Sequence, residues 1–157
     1  MNKRFYLCLF NENTWEEFLA QKIKVYGTTK NKLVRANKIT KDDYLICYVS
    51  KKSKFVGILQ KTSDAYFDET PLWRKGVFPV RFAVKIILAV PITKGFPVIQ
   101  LKNKISILQN IKNEKKWAGF FINSFNEFPA NDGELIQKEL EKITSQSSSN
   151  SDQLIGR

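Results

Sequence analysis

A chain of 157 residues with 43% hydrophobic residues and a formal charge of +11 has enough apolar material for one domain with a real core, and its charge favours acidic partners. It holds no histidine and two cysteines, which excludes Ser-His-Asp and Cys-His catalysis, histidine zinc sites and an all-cysteine zinc site. No apolar run approaches the ~20 residues of a bilayer span, so no membrane partner, metal or cofactor is expected.

Phe5 to Phe10 is a continuous apolar run bounded by Asn11-Glu12-Asn13, which predicts a buried strand. Its basic start resembles a signal peptide, but the run is brief and lacks a small-residue cleavage site, so a cytoplasmic chain is expected. Thr14 to Glu17 fits a capping box, with Thr14 accepting a first-turn N–H and Glu17 reaching back. Trp15, Phe18 and Leu19 follow at helical spacing, predicting a short helix to about Lys22 with Trp15 inward. Val25-Tyr26-Gly27-Thr28 reads as a turn that places Tyr26 at the start of a loop. A short basic helix from Lys30 to Ile39 is expected to bury Leu33, Val34 and Ile39 and to expose Lys30, Lys32, Arg35 and Lys38.

Tyr44 to Val49 and Phe55 to Leu59 predict an antiparallel hairpin around the basic segment Ser50 to Lys54. Gly57 marks a bulge or a close approach. Cys8 and Cys47 lie inside apolar runs and read as buried thiols. Residues 62–76 form a long loop carrying Tyr66, Phe67, Asp68 and Trp73, and loops of that length are usually functional. Val80, Phe82, Val84 and Ile86 then alternate with Arg81 and Lys85, which predicts a strand with both basic residues on its solvent face. A short helix on Ile105 and Leu108, an apolar strand from Trp117 to Ile122 and a last helix on Leu135, Ile136, Leu140 and Ile143 complete the pattern. From Thr144 the chain is rich in Ser, Asn and Gln. Residues 1–143 therefore read as the domain, and 144–157 as a flexible tail or a linker to a fused or associated effector domain. The fold class is α+β, a small curved mixed or antiparallel β-barrel with flanking helices.

Positive charge is concentrated between Lys30 and Lys61, where nine basic residues face only Asp42 and Asp43. A field of this kind attracts polyanions. Tyr26, Trp73 and Trp117 stand in non-periodic positions beside basic residues. Aromatic faces in such positions can hold an extruded base, and core packing is the competing role for each.

The order of motifs resembles archaeal and bacterial EVE domains, PUA-like modules related to YTH domains. NENTWEEFLAQKIKVYG resembles an EVE pattern of an Asn-x-Asn/Trp helix followed by Val-Trp-Gly, with Tyr26 in place of the usual tryptophan. KITKDDYLICYVS, FVGILQKTSDAYFDET, WRKGVFPVRF and NEKKWAGFF resemble further family segments, and the likeness covers about residues 4 to 143. The resemblance implies a PUA-like barrel whose pocket accepts a flipped, modified base in DNA or RNA. Carried over, Tyr26 and Trp73 would be cage walls and Trp117 a further wall. Asn11 or Asn13 would read the base edge, and Thr28 and Ser50 would line the rim.

The expected function is a non-enzymatic reader of a modified, methylated base. Lys30, Lys32, Arg35, Lys51, Lys52, Lys54, Lys115 and Lys116 would grip phosphates. The alternatives are a PUA-type RNA-binding accessory module without modified-base selectivity, and an enzyme relying on Asp68.

Overall fold

The computed structural model describes residues 3–73, 76–109 and 119–155. In chain order the elements are β1 (Phe5–Phe10), α1 (Glu12–Ala20), β2 (Val25–Thr28), α2 (Leu33–Lys38), β3 (Tyr44–Val49), β4 (Lys54–Lys61), β5 (Tyr66–Phe67), β6 (Val80–Ala89), β7 (Phe96–Pro97), α3 (Ser106–Gln109), β8 (Glu127–Phe128) and α4 (Ala130–Ile155). A turn of 3-10 helix, Lys30–Lys32, leads into α2.

The strands form one mixed sheet in the order β2-β6-β4-β3-β1-β8, with β5 beside β6 and β7 beside β4. β1 and β3 are parallel and bring Cys8 opposite Cys47. The other pairings are antiparallel. Strands covered on both faces need apolar residues at every position, which is why β1 and β3 read as unbroken runs. Their side chains still alternate. Tyr6, Cys8, Phe10, Leu45, Cys47 and Val49 join one core with Trp15 and Phe18 of α1. Phe5, Leu7, Ile46 and Tyr48 join a second core with Leu108, Ile136 and Leu140 from α3 and α4. The sheet thus divides the interior into a face covered by α1 and a face covered by α3 and α4.

Several expectations shift by a few residues, for local reasons. The capping box sits upstream: Asn11 Oδ1 accepts from Thr14 N–H at 2.8 Å, and Thr14 Oγ1 accepts from Asn11 N–H at 2.9 Å. Asn-x-x-Thr outcompetes Thr-x-x-Glu because β1 ends at Phe10 and the helix starts at once. Tyr26 is not at a loop: it lies in β2, opposite Phe82 of β6. Tyr66 and Phe67, expected in a loop, form β5. Ala36 in α2 and Ile39 just after it are buried while Leu33 and Val34 face outward, Val34 at 68% exposure. The described part of the Trp117–Ile122 segment, residues 119–122, is helix end and turn instead of strand. The helix α4 continues to Ile155, through the Ser-rich stretch.

Among the described residues two basic side chains are interior. Lys61 lies under α2 and donates to the Ala36 and Ile39 carbonyls, both at 2.9 Å, so it caps that helix instead of adding to the surface field. Burial pulls its ammonium below the ordinary lysine pKa. Arg81 is 5% exposed, against the expectation of a solvent-facing side chain. Gly57 fits the expected close approach: a Cβ there would stand 2.9 Å from the Leu88 carbonyl and 3.1 Å from the Trp15 ring.

Candidate functional site

The end of β1, the strand β2, the β3–β4 turn and the loops before β6 and β8 enclose a cavity of about 350 Å³. Asn11, Tyr26, Thr28, Ser50 and Trp73 all line it, so four separate stretches of chain meet there. Asn13 does not; with Glu16 and Glu17 it lines an adjoining cavity of about 550 Å³. Trp117, Lys115 and Lys116 lie outside the described residues.

Tyr26 is the fixed wall. It is 2% exposed and set by the β2–β6 ladder. Its hydroxyl donates to the Leu9 carbonyl at 2.8 Å, which leaves Ser124 to donate to it, also at 2.8 Å. Ser124 in turn accepts from Leu9 N–H at 3.1 Å. Burial, then the charge of a Cys8 thiolate, would oppose the phenolate, so the Tyr26 pKa stands well above 10.0.

Trp73 is the second wall and sits on a loop. It is 5% exposed, and its Nε1–H is buried without a hydrogen-bond partner among the described residues. The indole meets Tyr26 edge-on, with ring centroids 6.0 Å apart and planes at 65°. It meets Phe78 similarly, at 4.9 Å and 63°. A base held between two rings needs near-parallel planes about 7–8 Å apart, two van der Waals contacts of about 3.5–4.0 Å. Tyr26 and Trp73 therefore touch each other in this structure, and a base enters between them only if the indole turns.

Arg81 holds the Trp73 loop. Its guanidinium donates to the carbonyls of Phe78 at 3.0 Å and Val77 at 2.7 Å, and to that of Thr70. It also pairs with Asp68 at 3.3 Å. Asp68 accepts from the Thr70 N–H and hydroxyl, which with Arg81 hold its carboxyl below the usual pKa. That makes Asp68 a loop anchor, poorly suited to act as a general base. Gly27 lets this loop cross β2, since a Cβ would collide with Leu72 and Phe78. Phe78 has φ 48°, the left-handed region that bulky residues avoid.

Asn11 uses Oδ1 on its helix cap, so Nδ2 is what it brings to a ligand. Lys32 reaches the cavity wall and donates to Asn123 Oδ1 at 3.0 Å. Partial burial and the nearby Arg35 charge lower its pKa. Lys30 lies over the exposed Phe67 ring at 5.4 Å. Arg35 donates to Asn126 Oδ1 at 3.1 Å, in a separate cavity. Lys51 and Lys52 occupy the turn that delivers Ser50; Lys52 is 3.9 Å from Glu12, and Lys54 donates to the Ile92 carbonyl at 3.3 Å. Sequence reasoning missed Asn31, Phe78, Asn123 and Ser124, which also line the cavity. For Asn123-Ser124 the available signal was a polar pair interrupting the apolar Ile122–Phe125 stretch.

No family model matches the chain, and no curated protein does. Solved structures do match. The YTH domain of Zygosaccharomyces rouxii MRB1, in complex with N6-methyladenosine RNA, aligns over 88% of this chain and 86% of its own, at TM-score 0.64 and 18% identity. The Mmi1 YTH domain in complex with RNA aligns over 93% and 82%, at TM-score 0.66 and 15% identity. The fold is YTH-like. A Rhodopseudomonas palustris protein, Rpa0253, aligns over 88% and 93%, at TM-score 0.61 and 16% identity. Among the described residues no group of three or more His, Cys, Asp or Glu is placed to hold a metal ion, and no helix is long and apolar enough to cross a membrane.

Proposed function

We propose that this chain is a non-enzymatic nucleic-acid-binding module of the EVE and YTH type, and that it reads a methylated base flipped into the Tyr26–Trp73 cavity. One observation carries the reading: a single cavity gathers two aromatic rings, an asparagine amide, the Thr28 and Ser50 hydroxyls and Lys32. Extruding a base costs a few kcal/mol, and stacking returns ~1–3 kcal/mol per base. A methyl group adds apolar contact with the rings, and the amide and hydroxyls supply partners for the base edge. RNA carrying N6-methyladenine is the first ligand to try, because that RNA accompanies the Z. rouxii domain.

The second reading, an RNA-binding accessory module without modified-base selectivity, is favoured by the edge-on contact of Tyr26 and Trp73, which leaves no slot between them. Fluorescence anisotropy at fixed salt separates the two. RNA oligonucleotides of one sequence, with and without N6-methyladenine, should differ at least about tenfold in affinity, or about 1.4 kcal/mol. Measurable but equal affinity would favour the second reading. No binding to RNA or to the matching DNA, modified or not, would remove both.

A further inference from the structure

The two cavities on either side of Lys32 and Arg35 share one basic path. The second has a volume of about 510 Å³ and is lined by Arg4, Tyr6, Arg35, Lys38, Asn126 and Glu127, with Phe125 behind them. We infer that it is an anion site for a backbone phosphate of the same strand whose base enters the Tyr26–Trp73 cavity. This assignment rests on the function proposed above.

Three cations meet one carboxylate there. Among the described residues Arg4, Arg35 and Lys38 form no ion pair. They come from two separate stretches, the residue before β1 and the outer face of α2. One of them is held in place. Arg35 donates to Asn126 Oδ1 at 3.1 Å, and Asn126 is fixed by its own Nδ2 donating to the Phe120 carbonyl at 2.7 Å. Arg4 stands on the same cavity wall as Tyr6, a buried side chain. The 125–127 segment is itself clamped to β1, since Leu7 N–H donates to the Asn126 carbonyl at 2.8 Å and Phe125 N–H donates to the Leu7 carbonyl at 2.6 Å. Phe125 adopts φ 74°, a conformation a phenylalanine keeps only where its surroundings enforce it.

The link to the first cavity is periodic. Lys32, Arg35 and Lys38 recur every three residues, so each is the surface neighbour of the next along the helix. Lys32 lines the first cavity, and Arg35 and Lys38 line the second. Asn123 and Asn126, three residues apart, receive Lys32 and Arg35 in the same order. Neighbouring cations fixed by neutral amides repel one another until an anion lies between them, and guanidinium groups match phosphate oxygens in geometry. A phosphodiester is favoured over an acidic protein because the path begins at the base cavity and leads away from it.

The test uses the full chain with Arg4→Gln and Lys38→Gln combined, both exposed positions, after its thermal midpoint is shown to match the wild type. Two probes are titrated: N6-methyladenosine monophosphate, and an RNA oligonucleotide with N6-methyladenine at its centre. The variant should weaken oligonucleotide binding about tenfold and reduce the slope of log K against log salt by about 0.7–1.4, as for one or two single-strand phosphates. Binding of the mononucleotide, and the ratio between modified and unmodified oligonucleotides, should not change. An unchanged oligonucleotide affinity and salt slope, with a large modified-to-unmodified ratio, would overturn the phosphate site and leave the base reading standing. A ratio of one in the wild type, with the variant still weakening the oligonucleotide, would overturn the base reading and support the phosphate site. Equal weakening of both probes would also overturn the site, because it would mean that the substitutions act inside the base cavity.

Discussion

Trp15 and Trp73 both pack against the Phe10 ring, at centroid distances of 4.9 and 5.9 Å, but the two corners of the molecule treat them differently. Trp15 is fully buried, stacks on Phe18 at 14° between planes and donates its Nε1–H to the Val90 carbonyl at 3.0 Å. The backbone beside it has been cleared to a glycine, Gly57. Trp73 is almost as buried, but its Nε1–H has no partner among the described residues. It rides on a loop held by the buried Arg81 and followed by the left-handed Phe78. An orphaned buried donor costs about 1–3 kcal/mol. One tryptophan is where packing and hydrogen bonding both end. The other keeps a deficit at a cavity wall, and a ligand that turns the ring would relieve it. That difference separates a settled core residue from a cavity-wall residue of the same type.

Substitutions can break or sharpen this contrast. Trp15→Ala should cost the most, about 3–5 kcal/mol in a urea melt, with the RNA affinity of the remaining folded protein unchanged. Arg81→Met removes the cation that gathers three loop carbonyls. It should cost about 1–3 kcal/mol through unsatisfied acceptors and, unlike Trp15→Ala, should weaken oligonucleotide binding measured by anisotropy. If Arg81→Met leaves binding intact, the Trp73 loop is not the adjustable wall.

Tyr26→Phe should cost about 1 kcal/mol by losing its hydroxyl's bonds, and it changes the pH dependence. The folded state keeps the Tyr26 proton above the ordinary tyrosine pKa of 10.0, where the unfolded chain loses it. The folded state then binds more protons, so this contribution to stability is full below pH 10.0 and falls as pH rises towards the folded pKa. Cys47, raised above 9.0 mainly by burial, adds a similar fall that starts lower. Chemical melts above pH 10.0 should therefore give a shallower loss for Tyr26→Phe than for the wild type. Smallest of all is Trp73→Phe, which removes packing and the orphan donor together and should change stability by under about 1 kcal/mol. A loss as large as that of Trp15→Ala would erase the contrast.

The sheet was legible where strands are continuous apolar runs: β1, β3 and β4, with Gly57 marking the approach of Trp15. β2 was not, because Val25-Tyr26-Gly27-Thr28 is too short to show a period and is a strand only through its partner β6. Arg81 looked exposed because alternation assigns a face, and nothing in the local sequence shows that a loop will fold over that face. At the cavity, Tyr26 and Trp73 stood out as aromatics beside basic residues, Asn11, Thr28 and Ser50 were named through resemblance, and their meeting depends on strand order. For Ser124 the polar interruption at Asn123-Ser124 marks a break in the apolar stretch but not its role, which is to bond Tyr26 and Leu9 from the far end of the chain.

The most direct measurement is the thermal midpoint of the wild type and Trp73→Phe, each with an RNA oligonucleotide bearing N6-methyladenine and with its unmethylated twin. A ligand that binds only the folded state raises the midpoint in proportion to its affinity. The wild type should be raised clearly more by the methylated RNA than by its twin, and Trp73→Phe should lose that difference while keeping its unliganded midpoint. Equal shifts from both RNAs in the wild type, or an unchanged methyl-dependent difference in Trp73→Phe, would contradict the account.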